Sequence, residues 1–329
     1  MKNAPSTSDK QPLLDARGRL LRSFWSTDAE RSYARESVSR LRGREWELYQ
    51  LLGEDYVFRL LYGRVGPLGV CRASFTDLRT GRYCVSGPLR FFPGDRFAVD
   101  FTAGEPHHIL CEDKDFFLSL DYDGRFHRLR CYCGEFDVEL MLPDQSETLF
   151  TASPFEKLHR FFYAGRQVFP ELRGCVRFKE KEYSLESAFA FYESGRGAFP
   201  MECRRVLGCA CQIREGHSLA LLFGWGFGYA GSGLENALFL DGEVLKLNRL
   251  RESRKGDFLR ESRIFSEDGA VELRFTPWRD ELFARDIRLL YFRSHCTVGK
   301  LSGTIDVGGY GTINIENVPI LCEHSRFRF

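Results

Sequence analysis

The sequence predicts a mainly β protein, built from successive hairpins into two barrel-like halves. Three observations predict it. Asp-Gly pairs recur between runs of alternating apolar residues, at Asp123-Gly124, Asp241-Gly242 and Asp268-Gly269. Such pairs accept the positive φ angles of tight hairpin turns. Most prolines, among them Pro88, Pro93, Pro106, Pro143, Pro154, Pro170, Pro200, Pro277 and Pro319, fall between the apolar runs, where a missing N–H breaks no ladder. Finally, 329 residues exceed what one small core needs, and a prior of about 150 residues per domain suggests two units.

In chain order, residues 1–15 are polar and rich in Ser and Pro, which reads as a flexible leader. Residues 16–52 form an N-terminal extension with a short helix expected in Asp28–Tyr49, where Ala34, Val38 and Leu41 recur at three- or four-residue spacing. From Tyr56 onward strands alternate with turns. Phe117–Tyr122 and Phe126–Cys133 flank the first Asp-Gly, Ala237–Leu240 and Glu243–Leu247 the second, and Ile264-Phe265 and Val271–Phe275 the third. Val271, Leu273 and Phe275 share one face while Glu272 and Arg274 take the other, as a strand with one wet side requires. Ile313 and Ile315 repeat the pattern near the end. The turn-rich Ser194–Gly197 suggests a boundary, giving barrels over 53–195 and 196–329.

Lys and Arg number 47 against 46 Asp and Glu, a net charge of +1, so no global field would draw the chain to nucleic acid or an anionic membrane. No apolar run reaches the roughly 18 residues of a membrane helix, and the first twenty residues lack a signal core. The expectation is a cytoplasmic protein whose eleven cysteines are free thiols. No cofactor is expected. Five of the thiols, Cys131, Cys133, Cys203, Cys209 and Cys211, invite a zinc reading, but same-face pairs along a strand are common in a barrel wall, and no metal site is expected.

Several strings together resemble a known family. They are Gly195-Arg196-Gly197 with Phe199-Pro200, Gly224-Trp225-Gly226-Phe227-Gly228, and the most specific, Leu234-Glu235-Asn236-Ala237-Leu238-Phe239-Leu240-Asp241-Gly242. Phe275-Thr276-Pro277, His295 with Gly299 and Gly303, Gly311-Thr312-Ile313 and Glu323-His324 complete the series. Over roughly residues 52–329 the chain is similar to the domain-of-unknown-function family 2804 (DUF2804). It departs from that pattern at Phe199, at Arg204-Arg205 and at Cys296, where the family usually has Trp, a Trp-rich stretch and Gln. The resemblance implies two lipocalin-like antiparallel barrels in tandem. It also implies distant kinship with carotenoid hydratases, tocopherol cyclase and other terpenoid-modifying enzymes, and it carries no settled activity.

Glu235 lies between a glycine-rich stretch and a strand; buried among aromatics it could act as a general acid or hold the polar end of a ligand. A structural carboxylate is the alternative. His295 and His324 are candidate proton relays, and Glu323, adjacent to His324, must face the other way on an extended strand. Trp225, Phe227, Tyr229, Asn236 and Arg204 are candidate ligand contacts. The glycines from Gly224 to Gly233 do not form a nucleotide loop, because a β-hairpin and not a helix follows them. The Arg-rich stretch Arg249–Arg263 reads as solvated turns and edge strands.

The function expected is the binding or modification of a hydrophobic or amphipathic small molecule in a barrel cavity, with acid–base chemistry if the protein is an enzyme. A non-enzymatic scaffold with a protein partner and a zinc-stabilised structural protein are the alternatives.

Overall fold

The computed structural model describes residues 11–27, 31–39, 42–99, 104–228, 234–287 and 290–328. The chain divides into two compact units, 1–200 and 201–329. Among the described residues both are built of β-strands, with two single-turn 3-10 segments, Arg35–Ser37 and Gly308–Tyr310, and every named strand pair is antiparallel. Among the described residues no helix is long and apolar enough to cross a membrane.

The helix expected in Asp28–Tyr49 is not formed. Residues 28–30, 40 and 41 lie outside the described residues; the rest is a 3-10 turn followed by the strand Gly43–Leu52. The reason is its position. This strand runs in the middle of a sheet, paired along its whole length with Phe189–Ala198 on one side and, from Arg44 on, with Tyr56–Val65 on the other. Nine of its ten residues are buried, so both faces carry large side chains and the two-residue alternation that marks a half-exposed strand is lost.

Unit 1 consists of two facing sheets. The larger runs from Phe24–Ser26 through Leu149–Pro154, Phe161–Phe169, Phe189–Ala198, Gly43–Leu52, Tyr56–Val65 and Leu68–Asp77 to Tyr83–Ser86, with Leu89–Phe91 also on Leu68–Asp77. The smaller runs Lys181–Tyr183, Arg173–Phe178, Phe136–Pro143, Phe126–Cys133, Phe116–Tyr122, His107–Asp113. They share one aromatic core: Phe75 stacks on Phe178 at 4.8 Å and Phe58 meets Phe136 edge-on at 5.9 Å. Each such ring contributes about 1.5–3 kcal/mol by leaving water. Several polar groups buried in this core are paired: Glu47 accepts from the Tyr192 and Ser194 hydroxyls, and Tyr49 bonds His127 at 2.9 Å. Burial pushes the His127 imidazole down to about 3, so it is neutral.

Unit 2 is one nine-stranded sheet in the order Glu243–Lys246, Ala237–Leu240, His217–Trp225, Glu202–Arg214, Thr312–Arg328, Leu290–Asp306, Val271–Ile287, Ser262–Ser266, Leu250–Glu252. Its two edge strands are neighbours in sequence. Three residues, 247–249, join Lys246 to Leu250 and span at most about 14 Å, so the sheet has to curl back on itself into a cup. Leu221, Phe223, Phe275, Leu301, Ile320 and Cys322 fill the floor of its concave face.

The expected hairpins are present, with two kinds of turn. Leu240 pairs with Glu243, and Asp241 and Gly242 both have positive φ (48° and 86°), as a type I′ turn requires. At Asp123-Gly124 only the glycine has positive φ; the Asp123 carboxylate accepts from the Arg125 and Phe126 N–H groups at 2.9 Å, closing a longer loop. Pro277 lies inside a strand rather than between strands, at a bulge where the register shifts between Pro277 and Arg279.

Candidate functional site

Cross-strand register sets the site. Trp225 pairs with Val206, Val206 with His324, and His324 with His295, so these four side chains form one row across four neighbouring strands. Residues directly opposite share a face, and Trp225 stacks on Phe223 of the cup floor at 5.8 Å, so the row lies on the concave face.

Each histidine has a carboxylate. Asp280 Oδ2 is 2.7 Å from His295 Nδ1, and Glu252 Oε2 is 2.7 Å from His324 Nε2. His324 Nδ1 also faces the Cys322 thiol at 3.9 Å, whereas no bond is made at His295 Nε2 among the described residues. Phe258 joins the pair: its ring lies flat on His295 at 3.7 Å and edge-on to His324 at 5.2 Å. Glu252 also accepts from Ser262 Oγ and lies 2.6 Å from Arg254 Nη2. Burial opposes ionisation of Glu252, but its hydrogen bond and charge contact with His324, with Arg254 beside it, outweigh that and hold the carboxyl at about 2. Arg254, whose side chain is 9% exposed, lies over the rings of Phe258 and Phe275. Beside this cluster a cleft of about 470 Å³ is walled by Trp225, Val206, Leu250, Arg249 and His324.

The residues singled out in the sequence do not converge. His295, His324 and Trp225 meet on the concave face, and Arg204 stands on that face, exposed, two residues from Val206. Glu235 is on the other side. Gly224, between Phe223 and Trp225, turns its Cα–H to the outer face, and a Cβ there would sit 2.8 Å from Glu235 Oε2. Glu235 is therefore buried over a glycine that leaves it room, and it cannot reach the ligand side of the histidines. Phe227 is also on the outer face, edge-on to Phe327 with the Arg205 guanidinium over its ring. Asn236 is a fold clamp. Its amide oxygen accepts from Gly224 N–H and its amide nitrogen donates to the Asn248 carbonyl, tying down the corner that curls the sheet. Tyr229, Gly231 and Gly233 lie outside the described residues.

Glu323, as expected of the neighbour of His324, faces away and accepts from Ser294 Oγ at 2.6 Å. Sequence reasoning missed Asp280, Glu252, Arg254 and Phe258. Asp280 stands opposite Thr297, two residues from His295, only because the bulge at Pro277 and Arg279 reverses the alternation set by Phe275, so the strand pattern alone points it the wrong way. Nothing marks the others either: in the stretch read as solvated, Glu252 and Arg254 are buried and paired. Among the described residues no three His, Cys, Asp or Glu side chains gather as a metal site, and none of the eleven cysteines is in a disulfide.

The first likeness among solved structures is to a protein assigned as AttH from Nitrosomonas europaea, 11% identical, TM-score 0.53, covering 90% of this chain and 97% of that one. Kievitone hydratase from Nectria haematococca, 11% identical, aligns over 97% of both chains with a TM-score of 0.49. At 11% identity the first likeness concerns the fold alone. No curated protein sequence matches the chain. The model of the family described as a domain of unknown function, DUF2804, matches residues 4–329, and the chain belongs to that family.

Proposed function

We propose that unit 2 is a lipocalin-like cup that binds a hydrophobic or amphipathic small molecule against Trp225, and that Asp280–His295 moves a proton to or from it. The observation that carries this reading is the pair of cross-strand histidines, each held by its own carboxylate and both packed on Phe258, beside an open cleft. A carboxylate at Nδ1 fixes the tautomer and orientation of an imidazole and stabilises its protonated form, leaving Nε2 for exchange with a ligand. Glu252 and Arg254 hold His324 in place and keep a full charge pair next to the cleft. Unit 1, with its filled aromatic core, serves in this reading as the second lipocalin-like half, and the protein as a whole works in the cytoplasm.

The test is uptake of the neutral dye Nile red by the full chain, with native mass spectrometry and solvent extraction to identify any carried molecule. Trp225→Ala is expected to weaken Nile red at least tenfold. Protein that carries nothing and takes up no dye overturns the reading. A second reading, docking of a protein partner, is favoured by the exposed Tyr83, Leu89, Phe91 and Phe92 at one sheet edge of unit 1. A partner lost on Phe92→Ser would support it.

A further inference from the structure

Resting on the cup as the binding site, the arginines at its rim specify the ligand. Two residues outward from the histidine row, Arg204 pairs with Arg326 and Arg326 with Arg293, all three on the face that carries Val206, His324 and His295. Two residues along a strand is about 7 Å, so this row borders the site rather than belonging to it. All three side chains are exposed. Arg326 is committed to Glu202, which also takes Arg328 and the Tyr291 hydroxyl. Arg204 and Arg293 have no hydrogen-bond or ion-pair partner among the described residues, and neither has Arg249, which is half-buried in the cleft wall beside Leu250. Deeper in, the Arg254 Nε is buried with no hydrogen-bond partner.

Surface arginines are often unpaired, but here one open guanidinium, Arg249, lines the cleft and two more, Arg204 and Arg293, stand one row out on the same face, while Glu252 in the cleft wall and Asp280 on that face are already bound by histidines. A neutral ligand would leave that positive edge unused. We infer that the cup takes an amphipathic carboxylate: its apolar body lies against Trp225, Val206 and Leu250, and its ionised head is held by Arg249 together with Arg204 or Arg293. A guanidinium fork matches a carboxylate edge-on with two parallel hydrogen bonds, and the low dielectric of a half-buried wall strengthens the pair.

The experiment compares 11-(dansylamino)undecanoic acid with its methyl ester on the full chain at pH 7.5, following dansyl fluorescence. The acid is expected to bind at least tenfold more tightly than the ester. In Arg249→Gln with Arg204→Gln and Arg293→Gln, the acid-to-ester advantage should fall below threefold, with an unchanged far-UV circular dichroism spectrum showing that the cup is still folded. Equal affinity of acid and ester in the unaltered protein overturns the carboxylate assignment and leaves the cup standing. An acid preference that survives in the triple variant overturns the rim as its source. If neither probe binds and Nile red is also refused, the cup itself is refuted and the inference falls with it.

Discussion

Replacing Glu252 with Gln keeps the shape of the side chain and removes its charge. The carboxyl sits between His324 Nε2 at 2.7 Å and Arg254 Nη2 at 2.6 Å, and its titration is drawn from the ordinary 4.5 to about 2. At 1.36 kcal/mol per pH unit, the folded state favours the ionised form by roughly 3 kcal/mol. The folded value is the lower one, so this contribution is complete at pH 7, above the unfolded value, and fades as the pH falls toward about 2. The variant should therefore be less stable by roughly 3 kcal/mol at pH 7, and the gap should shrink to roughly 1.5 kcal/mol at pH 3. The buried Arg254 left without its counter-charge adds to the cost near neutrality. Urea unfolding followed by far-UV circular dichroism at both pH values gives the difference, with pulsed hydrogen exchange assigning the transition that involves residues 201–329. Equal midpoints at pH 7, or a gap that does not narrow on acidification, would refute the reasoning.

Other outcomes follow from the same structure. Glu235→Gln should leave Nile red affinity within twofold, because the carboxyl lies across the sheet from the cleft; a tenfold loss would contradict that placement. Phe258→Ala removes the ring that holds both histidines and should weaken binding of either probe at least fivefold, read by fluorescence titration. In unit 1, Glu193→Gln breaks a pair in which Glu193 and Arg166 are both 0% exposed and 2.7 Å apart; it should cost about 3–5 kcal/mol in urea unfolding, and a loss under 1 kcal/mol would show the pair to be dispensable.

What was legible in the sequence was local. The two-residue alternation of Val271, Leu273 and Phe275, the Asp-Gly turns and the opposed faces of Glu323 and His324 follow from backbone geometry within a few residues, and the structure bears this strand chemistry out. The DUF2804 resemblance likewise rests on short strings whose order is visible in the chain. The N-terminal helix was misread because Gly43–Leu52 is buried on both faces, and a strand flanked on every side carries no alternation to read.

The site was decided by tertiary structure. His295 and His324 are 29 positions apart and meet only because their strands pair in one register, while a one-residue slip would have sent one of them to the outer face. Glu252, Arg254 and Phe258 reach them from a segment that reads as solvated surface, because the curl of the sheet brings its last strands round to the concave side. Glu235 missed the cleft for the same reason. Which face a residue takes depends on a register set by distant partners, and no local pattern in the chain records it.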